Sequence, residues 1–247
     1  MKIRCVYEHN GNDTLLYSDN YIGAFTRGET KETALEKMER EVQSYLRWCG
    51  RSCQGEAETD GAQEAAHIEI VQEKESTLQI CDADSDVLFN TEREPLTQAE
   101  YEELKGLALK SAEDFLRLYE AIPNKRKSVL PVRKTFYGQI PRTAEEMYEH
   151  TKNVNNYYWS EIGVTADNEG TILVCRRRGF ETLEQMEGFL QNGVFDGSYD
   201  EQWSLRKVLR RFIWHDRIHA KAMYRMALKT FPEAEIPDIF AFGDGNM

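Results

Sequence analysis

Three of the five histidines in this chain fall where the spacing of apolar residues predicts a buried helix face. In the segment FIWHDRIHAKAMYRM, residues 212–226, apolar side chains recur at alternating steps of three and four, and His215 and His219 belong to that series. A buried imidazole without a partner costs on the order of 1–3 kcal/mol. A divalent metal ion is an efficient partner because it takes a lone pair from each ring.

A third histidine, His150, lies on the equivalent stripe of an earlier segment, PRTAEEMYEHTKNVNNYYWSEI. Two helices that face each other would bring the three imidazoles together. Three histidine ligands with an open fourth position are typical of catalytic metal sites. The alternative is that all three are core histidines that the protein itself satisfies. Imidazoles suit zinc, nickel and iron alike, so the sequence predicts a divalent metal ion of unknown identity.

Helical phase suggests which side chains surround this site. Glu146 and Asn153 lie about one turn to either side of His150, where each is a candidate to orient its ring. Glu146 is also expected to form a capping box with Thr143. Tyr157 and Glu161 continue the stripe and are candidates to line a pocket, although Tyr157 is also an ordinary core aromatic.

On the later helix, Arg211 is a candidate to meet an anionic substrate. Alternatively it belongs to a solvated face with Arg206, Lys207 and Arg210. Asp216 follows His215 directly and is expected to face outward, because consecutive helical residues diverge.

Two other motifs are weaker. Cys49, Cys53 and His67 resemble part of a zinc site but lack a second matching cysteine pair. DADSDV, residues 82–87, begins like a calcium loop but has valine at the glycine position and Arg93 in place of the bidentate glutamate.

The elements that must position these residues divide into two parts. Residues 1–92 are predicted to form a small α+β domain, with strands near 3–7 and 21–26, a strand at TLLYS, a helix over GETKETALEKMEREVQSYLRWCG and a strand at HIEIVQ. Residues 97–247 are predicted to form a mainly α domain, an antiparallel four-helix bundle. A hairpin insertion is expected near residues 164–178, turning at DNEG, followed by a helix over ETLEQMEGFLQ.

The segments EEMYEHTKNVNNYYWSEIG and RFIWHDRIHAKAMYRMAL together resemble the DinB/YfiT-like superfamily of metalloenzymes. Those four-helix bundles hold a metal through one histidine on the second helix and an H-x-x-x-H pair on a later helix, which implies His150, His215 and His219 here. Members include thiol-dependent S-transferases and a maleylpyruvate isomerase. The first domain, particularly YIGAFTRGETKETALEKMEREVQSYL, more loosely resembles the HicB-like antitoxin fold.

Composition narrows the function. A net charge of -12 and a pI near 5.0 count against a role in binding nucleic acid or anionic membranes. Five scattered cysteines do not form a disulfide framework, and no apolar run is long enough for a membrane span, so a cytoplasmic protein is expected.

The sequence thus favours a metal-dependent transferase, isomerase or hydrolase that acts on a small molecule, with a low-molecular-weight thiol as a partner and a homodimer as the expected assembly. The alternative is a non-enzymatic ligand-binding or protein-interaction module that recruits a partner through the HicB-like domain. An antitoxin is a third, weaker hypothesis.

Overall fold

The computed structural model describes residues 1–50, 66–135 and 138–243 of the chain. It is a mixed α+β structure with a four-stranded sheet and, among the described residues, five α-helices. The chain divides into two compact units, the first ending at Thr91 and the second beginning at Glu92.

The described part of the first unit contains the four-stranded sheet and one α-helix. Its strands are β1 (Lys2–Asn10), β2 (Asp13–Ser18), β3 (Phe25–Gly28) and β4 (His67–Glu75), and its helix is α1 (Lys31–Trp48). The strand order is β3-β2-β1-β4, with β4 parallel to β1 and the other pairs antiparallel. Gly11 has a φ of +59° and closes the β1–β2 hairpin, as NGND predicts. The third strand begins four residues later than predicted.

Among its described residues, the second unit contains four α-helices and two pairs of short antiparallel strands. The helices are α2 (Gln98–Ala121), α3 (Ala144–Ser160), α4 (Ile172–Leu183) and α5 (Leu205–Thr230), and the strand pairs are β5 (Lys134–Thr135) with β6 (Gly138–Gln139) and β7 (Phe195–Asp196) with β8 (Gln202–Trp203). Each helix begins after a Thr or Ser whose side-chain oxygen accepts a backbone N–H of the first turn.

Cross-helix contacts fix the helix directions. Ser111 meets Asp216 and Glu100 meets Arg206, so α2 and α5 run in the same direction. The Tyr148 hydroxyl accepts the N–H of Ile172 at the start of both α3 and α4, and these two helices also run in the same direction. The predicted antiparallel arrangement therefore holds between α2 and α4 and between α3 and α5, but not for the other two neighbouring pairs.

Because α3 and α4 are parallel, the chain must run back along α3 before α4 begins. Residues 161–171 form this connection. Asn168 donates to the carbonyl of Asn153 at 2.9 Å and accepts the N–H of Asn156 at 3.0 Å, and Asn155 donates to the carbonyl of Asp167 at 3.2 Å. About eleven extended residues reach roughly 36 Å, more than the roughly 25 Å length of α3.

The hairpin insertion predicted near residues 164–178 is therefore wrong. Its second predicted strand, TILVCR, forms the first turns of α4, with Thr171 as the N-cap. The β-branched run favours a strand locally, but Ile172, Cys175, Arg176, Gly179 and Phe180 recur at helical spacing and are all buried against the other helices. The helix predicted over ETLEQMEGFLQ is likewise displaced, since α4 ends at Leu183.

Candidate metal centre

His150, His215 and His219 converge between α3 and α5. The ring centroids lie 5.2 Å apart for His150 and His215, 4.6 Å for His150 and His219, and 4.4 Å for His215 and His219. One nitrogen from each ring lies within 4.8 Å of the other two. The three predicted ligands are thus close enough to hold one metal ion.

The spacing of the α5 pair matches a shared ion. The Nε2 atoms of His215 and His219 are 3.2 Å apart. Two nitrogens bound to zinc at 2.0–2.1 Å in a tetrahedral shell would be about 3.3 Å apart. A single hydrogen bond between two neutral rings gives a similar separation, so the third ring distinguishes the two arrangements. A hydrogen-bonded pair of histidines would not require a third imidazole, yet His150 of the facing helix lies beside both rings.

Desolvation favours the neutral form, which binds metal, for His215 and His150. His215 is buried, and desolvation, followed by the neighbouring rings of His219 and His150, holds its pKa well below the usual 6.5. Desolvation also lowers the pKa of His150, although this side chain retains solvent exposure. Neutral imidazoles offer their lone pairs at neutral pH.

The donor set itself fits a metal ion. The Nδ1 atom of His215 is buried and has no hydrogen-bond partner among the described residues. Its Nε2 atom faces another imidazole, that of His219, where a core histidine would ordinarily meet a carboxylate or a carbonyl. A metal ion would bind the Nε2 lone pairs of both rings. It would not give Nδ1 of His215 a partner, because an imidazole binds a metal ion through one nitrogen.

Tyr158 forms a wall of this site that helical phase did not single out. Its ring stands edge-on to His215 with centroids 6.0 Å apart and also packs against Phe212 and Trp203. Burial raises the pKa of Tyr158 to about 12, so its hydroxyl remains a donor across the physiological range. The available signal was its position two turns after His150, beside the predicted Tyr157.

Glu146 and Asn153, the two candidates to orient His150, form hydrogen bonds with other residues. The carboxylate of Glu146 accepts the N–H groups of Thr143 and Arg142, and Thr143 reciprocates as the N-cap of α3. Asn153 is exposed, and its carbonyl accepts a hydrogen bond from the side chain of Asn168 in the connection between α3 and α4. Within the described part of the chain, neither side chain hydrogen-bonds to the imidazole of His150. Capping and the crossover connection use these polar groups instead.

The two further α3 candidates lie beyond the cluster. Tyr157 is half-buried and packs edge-on to Trp203 at 5.9 Å, which agrees with its alternative as a packing aromatic. Glu161 is buried and accepts the N–H of Ser198 at 2.7 Å. It therefore anchors the loop of the β7–β8 hairpin.

Arg211 is buried and does not belong to a solvated face. Its guanidinium donates to Glu201 at 2.6 Å and lies among aromatic rings, 5.2 Å from Trp214 and 5.5 Å from Trp203. Lys207 and Arg210 are also buried, and Lys207 lies 2.8 Å from the same Glu201. The expected solvated face is therefore wrong, because α5 is enclosed on most sides and its cations are matched by buried carboxylates.

Asp216 is also buried, contrary to the expected outward orientation. It lies between α2 and α4, where it pairs with Arg176 and accepts the hydroxyl of Ser111. Consecutive residues of α5 can both be buried because helices pack on two sides of it. Cys53, one of the three residues that resemble part of a zinc site, lies outside the described residues. His67, another of the three, is an exposed residue of β4.

No family model matches the chain, and no curated protein or solved structure matches it either. Across the part of the chain that the structure describes, no helix is long and apolar enough to cross a membrane. Function must therefore be inferred from the chemistry of the histidine cluster itself.

Proposed function

We propose that the protein is a metal-dependent enzyme of the DinB-like type, in which His150, His215 and His219 hold one divalent metal ion. The observation that carries this proposal is the convergence of three imidazoles from two helices within 4.8 Å. The placement supports the resemblance in the sequence: one ligand lies on the second helix of the helical unit and the H-x-x-x-H pair on its last helix.

The unequal burial of the three ligands supports a site that substrate can reach. His215 is buried, His219 is partly exposed and His150 is exposed, so the cluster opens towards solvent on the α3 side. A metal held by three imidazoles would supply a Lewis acid that acidifies a bound water or thiol, or polarises a carbonyl. Tyr158, which stays protonated, would offer a hydroxyl beside His215.

The reaction that suits this chemistry is transfer, isomerisation or hydrolysis on a small molecule. A low-molecular-weight thiol would be the co-substrate of a transfer, would be regenerated in an isomerisation, and would be replaced by water in a hydrolysis. Zinc, nickel and iron are the metals that three imidazoles accommodate. We place the protein in the cytoplasm, where the thiols of Cys5, Cys81 and Cys175 would remain reduced. The expected assembly is a homodimer. Recruitment of a partner by a HicB-like N-terminal unit belongs to the alternative, the non-enzymatic module.

Metal analysis of untagged protein tests this proposal. The parent is compared with His215→Ala/His219→Ala and with His9→Ala/His67→Ala, a control that removes the two histidines outside the cluster. We expect near-stoichiometric metal in the parent and the control, and its loss in the first variant. A parent that remains metal-free after incubation with zinc, nickel and iron(II) would overturn the proposal and favour the non-enzymatic module.

Activity is tested next with each metal-loaded form. Thiol-dependent transfer, isomerisation and ester or amide hydrolysis are screened with small-molecule panels. Turnover that depends on the metal and disappears in His215→Ala/His219→Ala would support an enzyme. Stoichiometric metal without turnover would favour a metal-containing binding module.

A further inference from the structure

A buried ion pair joins the helices directly behind the histidine cluster. Arg176 of α4 and Asp216 of α5 are both 0% exposed. Two guanidinium nitrogens donate to the two carboxylate oxygens, each at 3.2 Å. Ser111 of α2 donates its hydroxyl to the same carboxylate at 2.6 Å.

The remaining groups of Arg176 extend this network to every helix of the second unit. Its Nε donates to the side-chain oxygen of Asn155 on α3 at 3.4 Å, and one terminal nitrogen also donates to the carbonyl of Ala108 on α2 at 3.3 Å. Its guanidinium carbon lies 3.7 Å from the ring centroid of Phe212. The pair and its partners, which we call the Arg176 clamp, thus connect α2, α3, α4 and α5.

Stability alone does not account for the Arg176 clamp. Desolvating two charges costs as much as their attraction returns, and apolar replacements of buried ion pairs are often neutral or stabilising. What a fully hydrogen-bonded pair does provide is a defined geometry, because the fork of an arginine meets a carboxylate in one orientation. The relevant geometry here is the rotation of α5.

Rotation of α5 determines where its metal ligands point. Asp216 follows His215 directly, so holding its side chain between α2 and α4 fixes the direction of His215 towards α3. A ring nitrogen lies roughly 6–7 Å from the helix axis, so a rotation of about 10° would move it by about 1 Å. Metal sites tolerate errors of only about 0.5 Å.

We propose that Arg176 and Asp216 are positioning residues of the metal centre, which hold α5 in the rotation that directs His215 and His219 at His150. This inference rests on the proposed function, since it concerns the same three ligands. The charged pair would act through the rotation of α5.

The test compares the parent with Arg176→Met/Asp216→Leu, which removes both charges and leaves none unpaired. The matched control is Arg210→Met/Glu92→Leu, which removes another buried ion pair of α5, near its N-terminal end. Zinc affinity is measured by competition with a chromophoric chelator, the cobalt(II) absorption spectrum reports the ligand geometry, and thermal unfolding is measured without metal. We expect a roughly tenfold or greater loss of zinc affinity and an altered cobalt spectrum in the first variant only.

Zinc affinity within about twofold of the parent and an unchanged cobalt spectrum in Arg176→Met/Asp216→Leu would overturn the inference. An equal loss in the control would also overturn it. If the double variant fails to fold, Arg176→Lys and Ser111→Ala take its place, and unchanged affinity in both would count against positioning. A parent that binds neither zinc nor cobalt removes the proposed function itself, whereas a metal-binding parent with unaffected variants removes only the positioning role.

Discussion

The Nε2 atoms of His215 and His219 lie 3.2 Å apart on successive turns of α5, and the ring of His150 faces both from α3. Helical repetition alone brings the first two together, but the third is close to them only because the faces of α3 and α5 that carry the histidines pack against each other. The cluster is therefore a property of helix packing, and its function depends on the ring that comes from the second helix.

Removal of His150 should separate metal binding from folding. Because this side chain is exposed, His150→Ala is expected to leave the thermal stability of the metal-free protein nearly unchanged. We expect zinc affinity to fall by about 100-fold or more, since two of three ligands remain. Zinc competition measures the affinity, with the exposed residue of β4 as the control in His67→Ala. Equal affinities for the two variants would show that His150 is not a ligand.

Glu146 should matter for the stability of α3 and not for the metal. Its carboxylate completes the capping box with Thr143, so Glu146→Ala and Thr143→Ala are each expected to reduce the free energy of unfolding by about 1 kcal/mol. Urea unfolding measures the loss. Zinc affinity in Glu146→Ala should remain within about twofold of the parent. A tenfold weaker affinity would instead support the hypothesis from helical phase that Glu146 orients His150.

Close packing of α3 and α4 depends on Gly179. A Cβ atom at this position would lie 2.0 Å from Nε1 of the buried Trp159. Gly179→Ala is therefore expected to destabilise the protein by about 1–3 kcal/mol. Gly106 of α2 is the matched control, since a Cβ atom there would meet no described atom within 4 Å and Gly106→Ala should stabilise by up to about 1 kcal/mol. Similar urea midpoints for both variants would contradict this packing.

The N-terminal unit should lose stability as the pH rises, because of Glu8. This side chain is 0% exposed, and burial raises its pKa above the usual 4.5 even though the Ser85 hydroxyl donates to it at 2.5 Å. Between pH 4.5 and the raised folded pKa, the native state binds more protons than the unfolded state. The free energy of unfolding therefore falls as the pH rises through this window.

Glu8→Gln removes that titration. Relative to the parent, the variant should gain stability as the pH rises from about 4.5 to the raised pKa of Glu8, and the difference should be constant above that pKa, as measured by urea unfolding across a pH series. A difference between variant and parent that is constant across the whole series would contradict a raised pKa at Glu8.

Periodicity and capping predicted much of the fold and the three histidines that converge between α3 and α5. The stripes that contain His150 and the His215–His219 pair were visible because α3 and α5 each bury one regular face, and Thr143 with Glu146 indicated where α3 begins. Proximity of the three rings then required only that these two faces meet. The DinB-like identity and the chemistry remain predictions.

The helical state of α4 and the burial of its charged neighbours depend on tertiary contacts, which the periodicity of a single segment does not reveal. The first residues of α4 have a high propensity for β-strand, and their helical state follows from burial of Ile172 and Arg176 against other helices. Asp216 was expected to face outward because it follows His215 directly, and a solvated face was one of two alternatives for Arg211. Each instead has a buried partner more than four residues away in the chain, Arg176 and Glu201. Ion pairs between residues that are distant in the chain could therefore not be predicted from the sequence at this site.

The most direct test of the metal centre is X-ray absorption at the zinc edge of the zinc-loaded parent. We predict a nitrogen and oxygen shell near 2.0–2.1 Å, with the outer-shell scattering of about three imidazoles and no sulfur near 2.3 Å. Scattering from one imidazole or none, or a sulfur ligand, would contradict a centre built on His150, His215 and His219.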